Sequence, residues 1–280
     1  MLSKPYLNTG LAVAVSVALI GCRQRETKTA GDREAAIQSE PESSKPSFPP
    51  PSNNMHTEAW QQIVSALTTS LAQLRAKEVE VSDLEDFDPP PLEQIDELER
   101  EMGIKLPETF RQFLAITGGF RFDWEAESGP FDDIAYGGNS EVDFLRGSEE
   151  LTLAEAYREF QEHYEGFDVE DGAQIAIIRR CFPLFLTDGG GNSLAIRLDT
   201  DPLQIHLLKS ELCWYFSDIA GDEHKSLVGR GLPEFLLHWA SLGGPATEDL
   251  SVVVEACGGD TLDANSAGGR AIREWLATPE

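Results

Sequence analysis

The residues best suited to chemistry sit between Asp188 and Asn192, where three glycines could turn backbone N–H groups onto a phosphate. A phosphate-binding loop of that kind ends in Lys-Ser/Thr and joins a strand to a helix, and neither condition holds here. The flanking runs alternate as strands do, so the segment reads as a tight hairpin. Asp188, Asp199 and Asp201 are potential calcium ligands, but they lack EF-hand spacing, and turn chemistry accounts for all three. His163, His206, His224 and His238 show no HExxH or related ligand pattern. No serine stands in a Gly-x-Ser-x-Gly elbow. These patterns predict a chain without catalysis, cofactor or metal.

Cys22 is the one position whose setting predicts a covalent modification. Lys4 precedes an apolar run, Leu11 to Ile20, shorter than the roughly 18 residues a membrane-spanning helix needs. The run ends Leu19-Ile20-Gly21-Cys22, which resembles a bacterial lipobox, with cleavage after Gly21 and a diacylglycerol on the Cys22 thiol. Residues 1–21 are thus expected to be a lipoprotein signal peptide, and several acyl chains on one residue would anchor stably. By analogy with enteric bacteria, Arg23 after the cysteine favours the outer membrane within the cell envelope. Residues 22–56, rich in Ser, Pro and Glu, read as a disordered tether with a mean reach on the order of 30 Å. Cys181, Cys213 and Cys257 remain. A Cys181–Cys213 bridge and buried free thiols are both compatible with their apolar surroundings.

A net charge of -27 opposes nucleic-acid binding, since phosphates need a basic surface. It suits solvation or a basic partner. A hydrophobic fraction of 41% over 280 residues supplies one ordinary core with extensions.

The elements that must position any site begin with an amphipathic helix placed in 57–85, on which Ile63, Leu67, Leu71 and Leu74 share a face. It can dock on the following domain or serve a partner. An acidic linker ends at Pro89 to Pro91. Ile95, Leu98 and Met102 then mark a helix closed by Gly103, and Leu106-Pro107 restarts the chain. Phe110, Phe113, Leu114 and Thr117 form the inward stripe of the next helix. Gly118-Gly119 end it, and FRFDW alternates as a strand.

This opening resembles that of the SUKH superfamily, which includes fungal Smi/Knr regulators of cell-wall assembly and bacterial immunity proteins against toxins. PLFLTDGGGNSLAIRLD is similar to the family's central hairpin, and LPEFLLHWASL to its closing helix. Asn192 stands where the family often has Asp, and Thr117 where an Asn often precedes the glycines. The resemblance covers 86–244. It implies an α+β fold, an antiparallel sheet flanked by helices, and a function in binding another protein.

Inside that span, strands are expected at Ile175 to Ile178, Leu184 to Leu186, Leu194 to Leu198 and Leu203 to Leu207, with one wet face and a last strand including Trp214 and Phe216. Phe235, Leu236, Trp239 and Leu242 line the covering helix. The loop after FRFDW combines aromatics with acids, as a surface for a basic protein would. Its candidates are Trp124, Glu125, Phe131, Asp132, Asp133 and Tyr136, joined by Asp188 and Asn192 of the glycine turn. The alternative is that the aromatics pack inward and the acids are solvated. A rival reading makes Asp132, Asp133 and Asp188 the acids of a surface enzyme or small-ligand receptor. Residues 245–280 form an extension with a short strand at Leu250 to Val254 and a short helix at Arg270 to Leu276.

Overall fold

Helix α1 (Asn53–Ala76) contains neither glycine nor proline, and its apolar residues recur at helical spacing. The computed structural model describes residues 53–125, 142–144, 151–165, 176–185, 192–208 and 227–278, all within one compact unit, Pro50–Glu280. The segments expected to be a signal peptide and, except for its last residues, a tether lie outside these residues. Ile63, Leu67, Leu71 and Leu74 are buried, so α1 docks on the domain instead of standing free. It starts earlier and stops sooner than its sequence pattern suggests. At its end Val79 N–H reaches back to the Leu74 carbonyl, 3.2 Å away, while Glu78 takes the left-handed conformation (φ 62°) that glycine usually fills in this motif.

Two short strands follow, β1 (Glu80–Val81) and β2 (Glu85–Asp86), where a linker was expected. Helix α2 (Leu92–Met102) then buries Ile95, Leu98 and Met102 and is closed by Gly103 at φ 64°. Helix α3 (Glu108–Leu114) follows Pro107 and buries Phe110, Phe113 and Leu114. What fixes the corner between them is a carboxylate, Glu99, only 5% exposed. It accepts from Leu106 N–H at 3.2 Å, from Lys105 Nζ and from the Arg111 guanidinium at 2.9 Å. Arg111 in turn pairs with Asp96 at 2.8 Å. Burial alone would raise the Glu99 pKa. The hydrogen bonds from Lys105 and Leu106, with the Arg111 charge, outweigh it and hold the carboxyl below its ordinary value. A lowered acid stabilises the fold above the unfolded carboxyl's pKa, and that contribution disappears as pH falls through the folded one. Glu99→Gln should therefore cost about 2–3 kcal/mol at neutral pH and flatten the acid limb of a stability-versus-pH curve measured by urea unfolding.

The sheet is wholly antiparallel and its order is β2-β3-β5-β6-β7-β8-β9. Its remaining members are β3 (Phe120–Phe122), β5 (Val142–Phe144), β6 (Cys181–Phe185), β7 (Ser193–Arg197), β8 (Gln204–Leu208) and β9 (Leu227–Arg230). A separate ribbon pairs β1 with β4 (Trp124–Glu125). The expected wet face is absent from the central strands. Phe182, Leu194, Ile196, Ile205 and Leu207 join the main core. Cys181, Ala195 and Leu208, which point the other way by strand alternation, pack under Phe160 and Tyr164 of helix α4 (Leu153–Glu165). With helices on both sides, both strand faces turn apolar.

Two further expectations need correction, and a third falls outside the described residues. Residues 176–178 are helical, and the Ile178 carbonyl accepts from the Gln161 side chain at 3.0 Å. The last described strand is β9; Trp214 and Phe216 lie outside the described residues. Leu250 to Val254 belongs to helix α6 (Thr247–Ala256). Leu250 and Val253 are buried four and seven positions from Ala246, a helical stripe that β-branched residues had disguised.

Helix α5 (Leu232–Ser241) places Trp239 at the centre of the main core. Its ring lies 5.6 Å from Phe120, 5.8 Å from Phe122 and 5.6 Å from Phe185, and its N–H donates to the Pro245 carbonyl at 2.8 Å. Helix α7 (Ala267–Ala277) buries Ile272 and Leu276. Leu262 N–H donates to the Val228 carbonyl at 2.8 Å, so the C-terminal segment caps the β9 edge of the sheet.

Candidate functional site

Of the groups that could do chemistry, those described are held in structural contacts. Cys181 and Cys257 are free, buried thiols, and burial pushes the Cys181 pKa up to about 12, far from a reactive thiolate. Cys213 lies outside the described residues. His206 is buried beside the Gln204 side chain at 3.3 Å. His238 Nδ1 accepts the Ala264 N–H at 2.7 Å. Asp199 pairs with Arg197 at 2.7 Å. Among the described residues no group of His, Cys, Asp or Glu is arranged to hold a metal, and no helix is long and apolar enough to cross a membrane.

The aromatic and acidic loop fares differently residue by residue. Trp124 is 2% exposed and packs into the main core; as a partner-facing residue it is corrected, because its place in β4 opposite Val81 turns the ring inward. Glu125 is the last residue of β4, and its ladder partner is Glu80. Asn192 precedes β7 and is half-buried. Phe131, Asp132, Asp133, Tyr136 and Asp188 lie outside the described residues.

The structure brings together a surface that the sequence pattern concealed. Residues 80–88 run antiparallel to 118–125, first as the separate β1–β4 pair and then as the β2–β3 edge of the main sheet, the two joined through Ser82 and Asp123. Glu80 faces Glu125, Val81 faces Trp124, Glu85 faces Arg121 and Asp86 faces Phe120. Ser82 N–H donates to the Asp123 carbonyl at 2.9 Å, and Asp123 N–H donates to Ser82 Oγ at 2.8 Å. Phe87 N–H reaches the Gly119 carbonyl and Gly118 N–H reaches the Phe87 carbonyl, each at 3.0 Å. Val79, Val81 and Leu84 rest on the core. The stretch Glu78 to Asp88 carries six carboxylates and no Lys or Arg. Arg75, from α1, supplies one partner to Asp83 at 3.3 Å.

Among the described residues no strand pairs beyond β2, so this acidic ribbon edges the sheet. Acidic side chains on an edge discourage indiscriminate strand pairing, and in sequence they are followed closely by an exposed apolar residue. Leu92, at the start of α2, is 60% exposed, alone among the large hydrophobics described. Desolvation, then the neighbouring Asp88 charge, raises the Asp86 pKa, with the Phe87 N–H opposing. The folded state therefore binds that proton more tightly than the unfolded chain, and stability falls as pH rises from the ordinary Asp value through the raised one. Asp86→Asn should remove this penalty and raise the urea midpoint at neutral pH while leaving it little changed at acid pH.

The signal for this ribbon was the alternation Glu78-Val79-Glu80-Val81, masked by the density of charge around it. A family model described as the SMI1 / KNR4 family (SUKH-1) matches residues 89–238, over half of the chain. No curated protein and no solved structure matches.

Proposed function

The chain belongs to the SMI1 / KNR4 family (SUKH-1), and on that premise we propose that it is a non-enzymatic binding module that docks its acidic sheet edge on a basic protein. The observation that carries this reading is the ribbon from Glu78 to Asp88, with six carboxylates and no base in its own stretch, beside the exposed Leu92. An exposed apolar residue that follows a run of like charge gives a contact that steers and orients a partner of opposite sign. The relief of the Asp86 and Asp88 repulsion by an incoming cation would add to the affinity. In this reading the domain masks a basic toxin in the manner of an immunity protein.

The lipobox favours a second role within the same binding mode, that of an envelope scaffold or regulator. Acylated Cys22 would hold the domain at the outer membrane through its tether, where an intracellular toxin would not be met. Cys22→Ala should leave the precursor uncleaved and without its acyl chains, read by intact mass and by loss of radiolabelled palmitate incorporation; an unchanged mass and labelling would remove the anchor. A toxin gene beside this one would decide for masking.

For the binding mode itself, the expected result is capture of a basic protein that fades with rising salt. Glu85→Lys with Asp88→Lys should weaken that capture by about tenfold or more, as reversal of two close charge pairs does. Capture indifferent to both salt and charge reversal would exclude the acidic edge.

A further inference from the structure

A second surface of the unit, between helices, mixes charges where the ribbon is acidic. Helices α1 and α7 border an open groove of about 830 Å³. Along its α1 wall, Gln61, Ser65, Thr69 and Gln73 fall four residues apart and form a single stripe of carboxamides and hydroxyls. The α7 wall contributes Arg270 and Arg273, one turn apart. Both arginines donate to Asn265, through its backbone and side-chain oxygens, and among the described residues neither has a carboxylate partner. In a chain with 49 acids against 22 bases, two guanidiniums left without an ion pair are unexpected. Glu58 and Glu274 also border the groove, which sets a limit on how much negative charge it accepts.

We propose that this groove binds an extended, mildly acidic peptide segment of a partner protein, with one or two carboxylates on Arg270 and Arg273 and its backbone along the α1 stripe. Glutamine side chains offer a donor and an acceptor each, as a peptide main chain requires. Arginine takes a carboxylate through two parallel N–H bonds. The stripe from Gln61 to Gln73 is about 18 Å long at the helical rise, matching about five or six residues of extended chain. No aromatic ring lines the groove, which favours a peptide over a sugar, whose faces stack on rings. Glu58 and Glu274 exclude a polyanion and leave room for a sparsely charged strand.

The test uses the full-length chain and a labelled serine–glycine octapeptide carrying two glutamates, followed by fluorescence anisotropy at low salt. Comparison probes are the same peptide with two lysines and a uronic-acid oligosaccharide. Saturable binding of the glutamate peptide is expected, weakened at least about tenfold by R270E with R273E, and cross-linking from a photoreactive peptide should land on α1 and α7. Because both arginines are exposed, the double variant should keep the parent's thermal midpoint. If it does not, Gln61→Ala with Thr69→Ala replaces it, with weakened peptide binding again expected. Equal binding by the variants, preference for the lysine peptide, binding of the oligosaccharide alone, or no saturable binding would each overturn the proposal. The acidic-edge reading is untouched by any of these outcomes, since its charge reversals lie elsewhere.

Discussion

Gly118→Ala is expected to cost about 3–5 kcal/mol and to loosen the acidic ribbon from the sheet. A β-carbon at this position would sit 2.0 Å from the Asp88 carbonyl oxygen and 2.9 Å from that of Phe87. Both obstacles are backbone, so no side chain can swing aside. The same residue donates its N–H to the Phe87 carbonyl, and any shift that relieves the clash breaks the bond that registers the ribbon. Stability would be read from urea unfolding, and local detachment from faster amide exchange at Phe87, whose N–H is held by Gly119. Gly103→Ala is the control. It has a left-handed φ but open space around it, so it should cost only about 1 kcal/mol and leave Phe87 exchange unchanged. Partner capture should fall with Gly118→Ala and persist with Gly103→Ala.

Trp239→Ala should cost about 4 kcal/mol, through a different mechanism. The indole is fully buried and touches rings from β3 and β6, so its loss leaves a cavity between the sheet and α5. The surrounding helices are fixed by their own contacts and cannot close it. Trp239→Phe separates packing from polarity: it keeps most of the ring but strands the buried Pro245 carbonyl that the indole N–H satisfies, a loss of about 1–2 kcal/mol. Urea midpoints of the two variants should therefore differ clearly. Equal midpoints would mean that the hydrogen bond, not the ring, holds the helix in place.

These two residues also show what the sequence could and could not reveal. Trp239, Phe235 and Leu236 follow a 3.6-residue period, and the helix they form was legible, as were α2, α3 and the hairpin strands. Gly118 was legible only as a helix terminator. Its second role, admitting another strand's backbone, depends on a partner thirty residues earlier that looked like linker. The wet face expected for β6, β7 and β8 was wrong for a related reason. Ala195 and Cys181 are small and mildly polar in pattern, yet α4 covers them, and the covering helix is distant in sequence. Trp124 was misplaced because an aromatic residue beside acids looks the same in sequence whether its ring turns in or out. The candidate surface was therefore half visible: the acidity was plain from composition, and its assembly into a sheet edge beside Leu92 required the fold.

The central claim is that this domain acts by contact through that edge. Its most direct test is the affinity of the full chain for the protein it captures, measured against ionic strength for the parent and for Glu85→Lys/Asp88→Lys. The account predicts a steep decline with salt in the parent and a weaker, flatter curve in the variant, whose urea midpoint should be only slightly lower because the reversal at position 85 opposes Arg121 across the ladder. Superimposable curves from the two chains would contradict it.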